Sequence, residues 1–91
     1  MKKHLLIYGK VQGVGFRYWL YAQAIKKEIR GWVKNKITGE VEALLIGNGA
    51  DVNEIIRQCK IGPRSSNVTQ VKTQDYKQEY SKKSFDIVNS N

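Results

Sequence analysis

"GKVQGVGFRYW", Gly9 to Trp19, packs three glycines and an arginine between two segments of different periodicity. Before it, "HLLIYGKV" (4–11) alternates, with Leu5, Ile7 and Gly9 on one face and Leu6 and Tyr8 on the other, the period of a β-strand. After it, "RYWLYAQAIKKEI" (17–29) has the spacing of an amphipathic helix, with Phe16, Leu20 and Ala24 in one row and Tyr21, Ile25 and Ile29 in another. The stretch is therefore a strand-to-helix connection, richer in glycine than a plain turn requires. Helices usually start on Ser, Thr, Asp or Asn, whose side chain accepts from one of the first free N–H groups. Gly13, Val14, Gly15, Phe16 and Arg17 offer no such acceptor.

Working outward, "GWVKNKITGEVEALLIG" (31–47) reads as a hairpin with Thr38-Gly39 near its turn, where Gly39 supplies a positive φ. "DVNEIIRQC" (51–59) reads as a second helix, with Val52, Ile55, Ile56 and Cys59 in one apolar stripe and Asp51 with Glu54 as a capping box. Gly62-Pro63 stops it, a strand follows at about 67–74, and a short one at about 84–88 carries Phe85 and Ile87 inward. The tail Asn89-Ser90-Asn91 is the expected ragged end. The order β-α-β-β-α-β plus a short extra strand, with right-handed crossovers, predicts an α+β, ferredoxin-like sandwich. Its antiparallel sheet carries both helices on one face and leaves the other largely open to solvent.

At 91 residues the sequence reads as a single domain, 1–91, with a modest core. The one cysteine, Cys59, excludes an internal disulfide or a multi-cysteine metal cluster and favours a reducing, cytoplasmic compartment. The apolar run after Met1 is too short for a signal peptide, and no segment is long enough for a membrane helix, so no membrane partner is expected. The formal charge of +8 favours anionic company of any kind, whether phosphate esters, RNA or acidic lipid.

The glycines alone fit two readings. They allow successive backbone amides to converge on an anion that takes the place of the missing cap, with Arg17 gripping two of its oxygens. They equally fit a turn that is tight for packing, with water on the exposed amides. A Walker loop is excluded because no Lys-Ser/Thr pair follows the glycines, and a dinucleotide fingerprint because Gly9, Gly13 and Gly15 are wrongly spaced.

Taken together, "GKVQGVGFRYW", "GWVKN" (31–35), "GEVEALLIG" (39–47) and "GPRSSNV" (62–68) resemble the acylphosphatase family in order and spacing, over about residues 5 to 88. The resemblance implies hydrolysis of the carboxyl–phosphate anhydride of acyl phosphates without metal or other cofactor. It implies that Arg17 binds the phosphate and that Asn35 orients the attacking water. The loop of Gln12, Gly13, Val14, Gly15 and Phe16 would donate backbone N–H groups to the phosphoryl oxygens, and inorganic phosphate or sulfate would bind there as ligands. A small-molecule acyl phosphate is the expected partner, with the acyl group largely unread, and the expected state is a monomer. Two positions depart from the family pattern. A Gly-Leu pair at the end of the first helix is replaced by Glu28-Ile29, so that Glu28 must turn left-handed or the helix must end differently; and the hairpin turn, often Asp-Gly, is Thr38-Gly39.

The remaining polar residues carry no evident chemistry. His4 stands alone and reads as surface or structural, Cys59 as a buried inert thiol, and Glu40 and Glu42 as a solvated face. A carboxylate is a good leaving group, so the absence of a general acid is consistent with the reaction. Three other readings compete. A nucleic-acid-binding module draws on the charge and on "GVGFRYW", but that signature would need to lie on a central strand, so nucleic acid is not an expected partner. A carbamoyl-phosphate-handling domain of a larger maturation enzyme would precede further domains, whereas this sequence ends at residue 91. The third is phosphate binding without turnover.

Overall fold

The structure, a computed structural model, describes residues 1–90; Asn91, in the expected ragged tail, lies outside the described residues. The elements are β1 (Lys2–Lys10), α1 (Phe16–Lys26), β2 (Arg30–Asn35), β3 (Val41–Ile46), α2 (Gly49–Cys59), β4 (Asn67–Asp75) and β5 (Phe85–Ile87). The sheet order is β4-β1-β3-β2-β5. The four longer strands pair antiparallel, as the sequence predicts, but β5 runs parallel to β2, so the five-stranded sheet is mixed. Across the centre, Leu5, Ala43 and Val33 stand abreast and face the helices. With Phe16, Leu20 and Ala24 of α1 and Val52, Ile55 and Cys59 of α2 they form the core. Helix α1 packs on β2 and β5, and α2 leans toward β1. The hairpin turns where expected, with Gly39 at φ 111°.

Expectations for both helices are corrected. Helix α1 ends at Lys26 rather than residue 29, and the second row splits: Ile25 is 51% exposed and Tyr21 sits at the surface, while Ile29 is buried from outside the helix. Glu28, at φ 55°, adopts the left-handed conformation, the first of the two alternatives expected there. Its N–H donates to Ile25 O at 3.2 Å, and Ile29 N–H donates to Ala24 O at 2.9 Å, the bond pair of a Schellman reversal. Helix α2 begins earlier than predicted because its cap is Asn48, whose side chain accepts from the Asp51 N–H at 3.2 Å; Asp51 stands in the first turn, and Glu54 pairs instead with Arg57.

The second sheet face is not simply open. The chain must pass from β4 at one edge to β5 at the other, and residues 76–84 make that crossing on the side away from the helices. Lys2 Nζ donates to Gln78 O at 2.9 Å, and Arg30 Nη1 to Tyr80 O at 2.6 Å and to Lys82 O at 3.0 Å. Leu44 and Ile46, on that face, are buried. Farther along it Glu42 is 15% exposed: it receives His4 Nε2 at 2.6 Å and has Lys34 Nζ at 3.6 Å, so it is a paired carboxylate and not part of a solvated row. Lys34 also lies over the Trp32 ring, 5.2 Å from its centroid.

Candidate active site

Three features meet where β1 ends, β2 ends and α1 begins. The first is the loop. Val11, Val14 and Phe16 turn their side chains toward the core and anchor it from below. Gly13 and Gly15 take φ of 73° and 80°, and a Cβ built on either would meet nothing within 4 Å, so the loop is held on one side and free on the other. Both angles lie in the left-handed region, which costs an L residue about 1–2 kcal/mol. Gly15 is the N-cap of α1, no side chain caps that end, and no acidic residue stands in its first turn. Among the described residues, the backbone N–H groups of Gln12 through Tyr18 donate to no protein acceptor; the first to do so is Trp19, to Gly15 O at 3.0 Å. A helix start with that many free donors and the positive end of its dipole has the donors and the polarity to receive an anion.

Arg17 is the second feature. It sits in the first turn of α1, half-exposed, and among the described residues its guanidinium forms no ion pair or hydrogen bond. It is thus available to a dianion, with the planar fork suited to two oxygens. Third, Asn35 ends β2 on the helix-facing side, abreast of Val41 and Ile7. Its Oδ1 is buried and has no hydrogen-bond partner in the protein. An unpaired buried acceptor costs roughly 1–3 kcal/mol, and a water held there removes that cost.

The Gln12 side chain joins these parts, a role its place in the sequence does not announce. Its Nε2 donates to Lys36 O at 2.7 Å and to Glu40 O at 2.9 Å, fastening the loop to the hairpin turn directly after Asn35. Phe16 and Trp19 lie on α1 and pack edge to face, 5.3 Å between centroids, so neither offers a stacking platform on the sheet. Cys59 is buried, and burial pushes its thiol up to about 12, which makes it an inert core residue.

A family model described as acylphosphatase matches residues 3–87. The chain belongs to the acylphosphatase family. An acylphosphatase of Acidiphilium cryptum is 44% identical over 69 residues, 76% of this chain and 76% of the relative. The crystal structure of the acylphosphatase from Bacillus subtilis superposes with a TM-score of 0.90 at 33% identity, covering 96% of this chain and 97% of that one. Full-length HypF, in a phosphate- and nucleotide-bound form, matches with a TM-score of 0.89 at 30% identity, covering 98% of this chain and 12% of that one. The fold thus occurs both as nearly a whole chain and as one part of a much longer protein. No helix of the described residues is long and apolar enough to cross a membrane.

Proposed function

We propose that the chain hydrolyses the carboxyl–phosphate anhydride of small acyl phosphates, without a metal, at the site formed by the Gln12–Phe16 loop, Arg17 and Asn35. The run of unpartnered amides from Gln12 to Tyr18 beside an unpaired guanidinium carries this reading. The phosphoryl group docks with its oxygens on those amides and on Arg17. Asn35 Oδ1 accepts a hydrogen bond from a water and holds it in line with the scissile bond. The water oxygen forms the new P–O bond, the bond to the acyl oxygen breaks, and the carboxylate departs with the electron pair. A nonbridging phosphate oxygen takes the water's proton, so no general base is required. The work divides into positioning and charge stabilisation, which dominate phosphoryl transfer. With a carboxylate as leaving group, no protonated acid is needed at the other end.

The test is a discontinuous assay of benzoyl phosphate hydrolysis with excess chelator present. The native chain should keep its activity, and Arg17→Ala should lose both phosphate affinity and turnover. Asn35→Ala should keep phosphate affinity while turnover falls roughly 10²–10³-fold, as when one positioned donor or acceptor of the transition state is lost. Full activity of Asn35→Ala would remove Asn35 from the reaction, and loss of native activity with chelator would remove the metal-free mechanism.

A further inference from the structure

In-line displacement puts the attacking water and the departing carboxylate on opposite sides of the phosphorus. Asn35 stands on β2, on the side of the sheet that α1 covers. The far side of the α1 N-terminus faces α2, which leans toward β1, and the loop that follows it. A cleft of about 240 Å³ lies there, lined by Trp19, Gln23, Gln58, Ile61 and Gly62. Two of its lining residues pack against the Phe16 ring, at the end of the glycine loop. The Trp19 indole packs against the Phe16 ring, and Gly62 approaches that ring so closely that a Cβ would stand 3.0 Å from Phe16 Cε2. Phe16 is also the first residue of α1 and one of the free N–H donors, so two residues of the cleft wall rest on the side chain of a cradle residue.

Resting on the phosphate reading above, we propose that this interhelical cleft is the subsite for the acyl group, and that it favours a flat, apolar acyl group over acetyl. Trp19 offers a ring face or edge for stacking, and the Ile61 side chain, 71% exposed without ligand, gains cover when an aromatic acyl group lies beside it. The volume is smaller than the roughly 300–1,000 Å³ of pockets that hold drug-sized molecules, which suits one ring or a short chain. The acyl group is then read, in contrast to the expectation from sequence.

The experiment compares kcat/KM for benzoyl phosphate and acetyl phosphate on the same preparations of the native chain, Trp19→Ala and Ile61→Ala, and reads the ratio of the two. Trp19→Ala should lower the benzoyl-to-acetyl ratio about tenfold and Ile61→Ala about threefold, the scale on which apolar pockets discriminate. Any unfolded fraction lowers both rates alike and leaves the ratio unmoved. An unchanged ratio in both variants overturns the acyl subsite while leaving the phosphate site intact. A native chain that turns over neither substrate overturns the phosphate reading, and this inference with it.

Discussion

Glu28→Gly should stabilise the protein, although Glu28 lies far from any candidate chemistry. Its φ of 55° makes it the one non-glycine residue with positive φ among the described residues. The reversal there is not optional: Ala24 and Ile29 are both buried in the core, and the bond from Ile29 N–H to Ala24 O closes the turn whatever residue occupies position 28. The side chain contributes no ion pair or hydrogen bond that its removal would forfeit. A Cβ in the left-handed region costs about 1–2 kcal/mol, and glycine gives back about 0.5–1 through the freedom of its unfolded chain. The net gain is therefore about 0.5–1 kcal/mol, which for a domain of this size raises Tm by roughly 2–8 °C. The assay is thermal unfolding followed by circular dichroism, supported by urea midpoints at constant m. Glu28→Ala is the control, since it removes the carboxylate but keeps the Cβ, and it should leave Tm within a degree or two, roughly the effect of a neutral surface change. Equal shifts for the glycine and alanine variants, or a lower Tm for glycine, would refute the account of strain at this position.

Three further outcomes are expected. Arg17→Lys should lose nearly as much activity as Arg17→Ala, because a point charge does not reproduce a bidentate fork; steady-state kinetics on benzoyl phosphate with phosphate as competing ligand measures it. Gln12→Ala should lower stability by about 1–2 kcal/mol and turnover about tenfold, and Gln12→Glu should be the worse of the two in urea unfolding, since a carboxylate would face the Lys36 and Glu40 carbonyl oxygens with no N–H to give. Burial pushes the Cys59 thiol from its ordinary 9.0 up to about 12, so the folded state keeps its proton where the unfolded chain has lost it. Its contribution is complete below pH 9 and disappears as pH rises toward 12, so the native urea midpoint should fall faster than that of Cys59→Ala between about pH 9 and 11.

The parts of the fold that were legible are those whose signal is local. The row Phe16, Leu20 and Ala24 and the stripe through Val52, Ile55 and Cys59 are buried as the periodicity requires. The end of α1 was not legible to the residue, because Lys26, Lys27 and Glu28 are good helix formers and nothing local forbids another turn. Burial of Ile29 beside Ala24 stops it, and that is a tertiary fact. The start of α2 differs from the sequence expectation for another reason. Asp51 and Glu54 have the spacing of a capping box, but Asn48 and Asp51 have the cap spacing too, and Gly49, a poor residue for a helix interior, is tolerated in the first turn. The crossing by residues 76–84 has no periodicity of its own; it follows only once β4 and β5 are known to be opposite edges.

The candidate site divides along the same line. A missing cap is visible in a sequence because the residues that could fill it are few and their positions fixed, so the residue types from Gly13 to Arg17 are enough to announce a set of free donors. The clasp made by Gln12 has no comparable signature, since its partners are carbonyl oxygens 24 and 28 residues away, which every residue possesses. Yet that clasp decides whether the site is one object or two. The loop is anchored to the core through Val11, Val14 and Phe16, and Asn35 belongs to a strand whose turn extends toward solvent. Without a tie, the donors proposed to hold the phosphate and the oxygen proposed to hold the water would sit on less firmly coupled elements, and in-line geometry tolerates little relative motion. Tying the loop to the turn that follows Asn35 through the Gln12 amide makes the separation between them a property of the fold, as the proposed catalysis by positioning, without a general acid or base, requires.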